Sequence, residues 1–278
     1  MKRSRHRFIW IGLTGLVMGL LTGCGQQRTA QQWFDLTWAG LAGVDAFHIS
    51  GQAEVNPEAN SKNARTFTYG ADLEQHTRLS VQAVPVRGGI YSSGAGLKKQ
   101  NGPAALELRD GTSWVIRQEG GRLDAWTAAA AGRVNPLTAI EGLRQMRKNL
   151  RLETGGARGT QVLRIEPDSE QELLRLKDHL ISEMNSIQTT WNGKTAGSPH
   201  RQNAEAVQEG NQLIEASRQQ LMQILAGAKV QTIYHLTINK RTNLPVRLTS
   251  ETRMIYTDPK GSRHSETLWN DARFTDYR

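Results

Sequence analysis

The chain has 278 residues, with 35 Lys and Arg against 26 Asp and Glu, a net charge of +9 and a single cysteine. One cysteine excludes a disulfide framework and a cysteine-rich zinc site. Four basic residues and no acidic ones lie in residues 1–23, so the excess over residues 24–278 falls to +5, which argues against a nucleic-acid-binding surface.

The first 24 residues carry the sharpest signal. Lys2, Arg3, Arg5 and Arg7 precede an apolar run from Phe8 to Leu21, which ends in Leu21-Thr22-Gly23-Cys24. A charged start, an apolar stretch and small residues before a cut site form a secretory signal peptide. The run is too short to span a bilayer, which takes about 20 apolar residues. The string Leu-x-Gly-Cys resembles a bacterial lipobox. That resemblance implies a signal peptide over 1–23, cleavage after Gly23, and Cys24 as an N-terminus carrying a diacylglyceryl thioether and an acyl chain such as palmitate. One chain holds a protein to a bilayer only reversibly, whereas two hold it durably. Residues 24–29 then form a short tether, and residues 30–278 a single domain at the extracytoplasmic face of a cell membrane.

In chain order, Trp33, Leu36 and Leu41 recur at helical spacing. From residue 46 the period changes to two. Phe47, Ile49, Gly51, Ala53 and Val55 alternate with polar residues, as do Phe67, Tyr69 and Ala71, then Leu79, Val81 and Ala83. Asn56–Lys62 and Gly88-Gly89 break the pattern as turns. Leu106 and Leu108 precede Asp110-Gly111, a hairpin signal, with Trp114-Val115-Ile116 beyond it. The first half is an antiparallel meander.

Asn135 then caps a helix with Pro136 at its first position, and Leu137, Ile140 and Leu143 follow at helical spacing. Strands resume at Leu150–Glu153 and Gln161–Ile165 around the glycine-rich string Gly155–Gly159, which lacks the Gly-Lys-Ser/Thr ending of a phosphate loop. A helical segment occupies about 168–226. Ser169 and Glu172 read as a capping-box pair ahead of the stripe Leu173, Leu176, Leu180 and Met184. A polar connector, Asn192–Pro199, leads to a second helix with Val207, Ile214, Leu221 and Leu225 on one face. The end is β again. Val230, Tyr234, Leu236 and Ile238 share a face, as do Val246, Leu248 and Met254, and a last strand carries Leu268, Trp269 and Phe274.

Three local patterns carry a wider resemblance: Phe47-His48-Ile49-Ser50-Gly51, Asn135-Pro136-Leu137 after an Asp-Gly hairpin, and a closing strand pair around Thr242-Asn243-Leu244-Pro245. Together with the lipobox, this order resembles the LolA/LolB and LppX/LprG group of envelope lipoproteins and carriers. The resemblance implies an α+β fold: a curved antiparallel sheet, an unclosed half-barrel, with helices packed on its concave face. It also implies a lipid or other apolar ligand, or a module that has lost its cavity and holds another envelope protein.

Catalytic patterns are missing from the sequence. His48, His76, His179, His200, His235 and His264 stand far apart, with no His-Glu-x-x-His. There is no Gly-x-Ser-x-Gly elbow and no Ser-x-x-Lys. His48 and His235 fall on the wet faces of their strands. No catalytic residue, metal or cofactor is expected. Two readings stand: a membrane-anchored protein that binds a lipid in a half-barrel, and a non-enzymatic module that holds or activates a cell-wall or spore-germination enzyme, its cavity plugged. Of the six tryptophans after the signal segment (Trp33, Trp38, Trp114, Trp126, Trp191 and Trp269), most belong to the core. Trp191, placed in the polar connector, is the candidate for contact with a ligand or partner.

Overall fold

The computed structural model describes residues 27–56, 65–85, 104–109, 113–117, 135–196 and 204–278. Gly23, Cys24 and Trp126 lie outside the described residues, as do Asp110-Gly111, Gly88-Gly89 and most of the Asn56–Lys62 break.

Helix α1, Ala30–Ala42, starts with a reciprocal cap. The Gln32 amide donates to Thr29 Oγ1 (3.2 Å), and the Thr29 amide donates to Gln32 Oε1 (2.9 Å). Trp33 and Phe34 are buried beneath it. The Arg28 guanidinium lies 4.7 Å from the Trp33 ring and donates to Asn243 Oδ1 (3.0 Å), fixing where the chain enters the domain.

Five strands follow: β1 (Phe47–Asn56), β2 (Arg65–Glu74), β3 (Arg78–Pro85), β4 (Ala104–Arg109) and β5 (Ser113–Arg117). Helix α2 is Pro136–Gln145, and β6 (Lys148–Glu153) and β7 (Thr160–Pro167) form the next hairpin. Helices α3 (Ser169–Ala196) and α4 (Ala204–Ala226) precede β8 (Lys229–Asn239), β9 (Pro245–Thr257) and β10 (Arg263–Thr275).

The ten strands of the described residues form one antiparallel sheet in the order β5-β4-β3-β2-β1-β10-β9-β8-β7-β6. The chain walks outward from β1 to one edge, crosses to the other edge, and walks back until β10 pairs with β1. The two edge strands, β5 and β6, do not pair, so the sheet is an unclosed half-barrel with helices on its inner face. The alternation indicated a sheet interrupted by helices, and this α+β half-barrel is the architecture that the resemblance implied.

Register keeps the apolar positions in phase across the sheet. Ile49 faces Ala71 and Phe274, Leu79 faces Leu73, and Leu236 faces Leu163 and Leu248. A slip of one residue would turn a whole strand inside out, so a single buried face fixes the pairing. Onto this face α1 brings Trp33 and Phe34, and α2 brings Leu137, Ile140 and Leu143, all in one continuous core. Each such side chain contributes about 1.5–3 kcal/mol on burial.

The outer face is polar. His48 Nδ1 meets Asp72 at 2.7 Å, His235 Nε2 meets Glu153 at 3.3 Å, and Arg247 makes two 2.7 Å bonds to Asp271. Both histidines thus sit on the wet side, as the alternation indicated.

Three local expectations are corrected. Val246 is not on the Leu248 face: the β8–β9 register shifts at Thr237/Ile238, so Pro245 is buried and Val246 is 37% exposed. Ser169 does not cap α3. The Gln171 amide donates to Asp168 Oδ1 (3.1 Å), and Glu172 turns inward. Trp191 belongs to α3 rather than to a connector, because the helix runs on to Ala196.

The barrel has two distinct ends. One gathers the turn at Gln75-His76, the turns 155–159 and 240–244, and the C-terminus, where the Arg278 carbonyl accepts from the Asp45 and Ala46 amides. The other carries the Asp258–Gly261 turn of the long β9–β10 hairpin.

Candidate functional site

The polar group on the inner face is centred on Glu172, in the first turn of α3. Its side chain is 3% exposed. Arg175 clasps it with both arms: Nη2 donates to Oε1 (2.6 Å) and Nε to Oε2 (2.9 Å). From β8, Thr232 Oγ1 (3.2 Å) and the Tyr234 hydroxyl (3.3 Å) also donate to Glu172 Oε1. Thr252 Oγ1 on β9 lies 3.0 Å from Thr232 Oγ1, and Arg175 Nη2 reaches the Tyr234 oxygen at 3.2 Å. The cluster pins α3 to the sheet through a neutral ion pair whose members are heavily hydrogen-bonded, which is what a buried charge requires.

The environment shifts the partners. Burial pushes the Tyr234 phenol upward, well above its ordinary range, so it stays a donor. Burial works most strongly against the Arg175 charge, but its hydrogen bonds to Glu172 and the charge attraction of Tyr234 and Glu172 together outweigh it, and the guanidinium is held protonated more firmly than usual. His179, one turn further along α3, is lowered by burial and then by the neighbouring Arg175 charge.

Beside the cluster lies a cavity of about 50 Å³ between α2, α3 and strands β8–β10. Arg175, Tyr234, Ser250, Thr252 and Asn270 contribute polar atoms to its wall, and Leu248 and Leu268 contribute apolar ones. Asn135 lines it as well. Its Oδ1 caps α2 by accepting from the Leu137 amide (3.0 Å), which leaves the side-chain NH₂ pointing the other way. Asn135 is 4% exposed, and that nitrogen has no partner among the described residues. An unpaired buried donor costs about 1–3 kcal/mol, so its position is informative.

From the cavity towards the far end, the inner face opens. Val55, Leu268, Met254 and Tyr256 form a half-buried strip, with Val55 paired to Leu268 in the β1–β10 ladder. At the other end a shallow depression of about 600 Å³ is lined by Asp45, Phe47, Asp72, Glu74, His76 and Arg278 among others. Its carboxylate-rich wall suits no apolar ligand. His76 is already paired with Asp45, and His48 with Asp72.

Trp191 covers α4 at Gly210, where a Cβ would stand 2.1 Å from the indole. Its contact is therefore made within the α3–α4 hairpin. The indole N–H is buried without a partner among the described residues. The inward carboxylate of Glu172 escaped the sequence reading, because Ser-x-x-Glu before an apolar stripe matches a cap equally well. Thr232, interrupting the apolar alternation of β8, was the available signal. Asn135 was read as a cap, which it is, and its place in the wall of the cavity appears only in three dimensions.

No helix of the described residues is long and apolar enough to cross a membrane. No family model matches the sequence, and no curated protein does. Among solved structures, the chain is similar to a structure describing lipid–protein interactions in lipovitellin. That match has 9% identity and a TM-score of 0.35, and covers 84% of this chain but 25% of that one, so this chain spans about a quarter of its length. It is also similar to a LolA superfamily protein from Nitrosomonas europaea, at 11% identity and TM-score 0.25, covering 90% of this chain and 95% of that one. A DUF1329 family protein from Desulfovibrio piger matches at 7% identity and TM-score 0.27, over 91% and 93%. With all three scores below 0.5, the fold is defined by the chain's own strand order: an unclosed antiparallel half-barrel with helices on its concave face.

Proposed function

We propose that this chain is an exported lipoprotein, held by a lipid on Cys24 at the extracytoplasmic face of a cell membrane, whose half-barrel binds a lipid or other apolar ligand. The anchor rests on the basic start, the apolar run and Leu21-Thr22-Gly23-Cys24. Replacing Cys24 by alanine should move the protein from the detergent phase to the aqueous phase in Triton X-114 partitioning. Retention in the detergent phase would remove the anchor from the reading.

One observation carries the ligand. The sheet presents a largely apolar inner face, interrupted by the polar group around Glu172, and its edge strands do not meet. Access to that face therefore means shifting helices against the sheet, with no ladder hydrogen bond broken. About 25 cal/mol per Å² of apolar ligand surface removed from water drives the exchange. The chain in this reading binds and does not catalyse.

A second reading has its own support. The cavity beside α2 and α3 measures about 50 Å³, below the roughly 300–1,000 Å³ usual for a small-molecule pocket. A barrel kept filled by its own helices is an interaction module for another envelope protein. Native mass spectrometry with lipid extraction, on residues 25–278 exported to a bacterial periplasm, separates the two. Co-purifying lipid near one-to-one occupancy supports the ligand. A mass that stays apo when lipids are offered supports the module.

A further inference from the structure

One side chain lining the inner cavity carries a buried donor that has no partner among the described residues. Asn135 lines this cavity and is more than nine-tenths buried, and with its Oδ1 capping the Leu137 amide its side-chain NH₂ is left without a partner among the described residues. Arg175 Nε and Nη2 are engaged with Glu172 and Tyr234, and its guanidinium lines the same space. The Tyr69 hydroxyl donates to Asn270 Oδ1 (2.8 Å), so that acceptor on the wall is already occupied. The volume of about 50 Å³ accommodates little more than one water-sized group, whose share of space is about 30 Å³.

We infer that this cavity is the subsite for a carbonyl oxygen of a neutral acyl ester or amide, which accepts a hydrogen bond from Asn135 Nδ2 beside the Arg175 guanidinium. The inference rests on the ligand-binding reading above and says which part of the ligand is recognised. Charge decides between ester and free acid. Glu172 and Arg175 already neutralise each other, so a carboxylate would add an uncompensated buried charge, whereas an ester oxygen is an acceptor that carries none. The acyl chain leaves past Leu268, along the half-buried strip of Val55, Met254 and Tyr256.

The test compares three fluorescent probes on residues 25–278, since the described core closes entirely within residues after 27. They are methyl cis-parinarate, ionised cis-parinarate, and diphenylhexatriene, a hydrocarbon with no acceptor. The native chain should bind the ester more tightly than the acid. Asn135→Ser keeps an oxygen to cap α2 but removes the amide donor. It should weaken the ester by about threefold to tenfold, the worth of one net hydrogen bond, and leave the hydrocarbon unchanged. Equal binding of all probes by native and variant chains would show that the amide holds only water, and would overturn the subsite while sparing the ligand reading. Binding of none of the three by the native chain would overturn both. Loss of all three in the variant alone, with an unchanged melting temperature, would assign Asn135 to the shape of the face instead of to the carbonyl.

Discussion

Glu172 and Arg175 stand one turn apart on α3 and meet at 2.6 Å on the inner face of the sheet, where the carboxylate is almost wholly enclosed. A helix-surface pair at this spacing contributes a few tenths of a kcal/mol. An enclosed one behaves differently. Arg175→Met should destabilise the fold by about 3–5 kcal/mol, because it strands a buried carboxylate. Adding Glu172→Leu should recover part of that loss, which urea denaturation of both variants would reveal. Equal and additive losses would mean that the pair is not coupled.

Gly51 reverses the usual rule for strands. Glycine normally weakens a strand interior, yet a Cβ here would stand 2.2 Å from the Tyr69 ring, directly across the β1–β2 ladder. Gly51→Ala should therefore cost about 1–3 kcal/mol by overpacking. The melting temperature should fall by about 2–4 °C for each kcal/mol in a domain of this size. A rise would show that Tyr69 swings aside freely.

At Gly210 two effects oppose each other. Alanine gains about 1 kcal/mol of helix propensity over glycine, but its Cβ meets the Trp191 indole at 2.1 Å. Gly210→Ala should push the indole into water and shift tryptophan emission to the red. In a Trp191→Phe background the shift should vanish, leaving only the helix gain as a higher melting temperature.

His179 makes stability depend on pH with a definite sign. Its folded pKa lies below the ordinary 6.5, through burial first and the Arg175 charge second. Between the folded value and 6.5 the unfolded chain binds more protons. The neutral ring's contribution is therefore complete above that range and is lost as pH falls through the folded pKa. Thermal melts from about pH 7.5 to about pH 5.5 should show declining stability, flattened by His179→Gln. An identical decline in the variant would assign it to other groups.

Much of the inner face was legible in the sequence because a strand with one buried side must alternate. Phe47 through Val55, and Leu79 with Val81, announce themselves in this way. What remained hidden depends on distant partners. Nothing local says that β10 closes on β1, since that ladder joins residues more than two hundred positions apart. The bulge at Thr237/Ile238 exchanges Pro245 for Val246 on the face, a shift set by the partner strand. Glu172 illustrates the same limit. Its spacing from Ser169 is that of a cap, and only the position of Thr232 and Tyr234 across the fold turns it inward.

The bond from Arg28 to Asn243 also gives the molecule a direction. It ties the entering chain to the 240–244 turn, while the half-buried strip of Val55, Leu268, Met254 and Tyr256 lies towards the opposite end of the β9–β10 hairpin. That hairpin is 13 residues long in each strand, or about 40 Å at the usual rise. Under the anchor proposed above, a chain leashed through Cys24 would enter the domain at the end opposite the half-buried strip. In that arrangement a ligand would reach the strip from the aqueous side, and not from the leaflet that holds the proposed anchor.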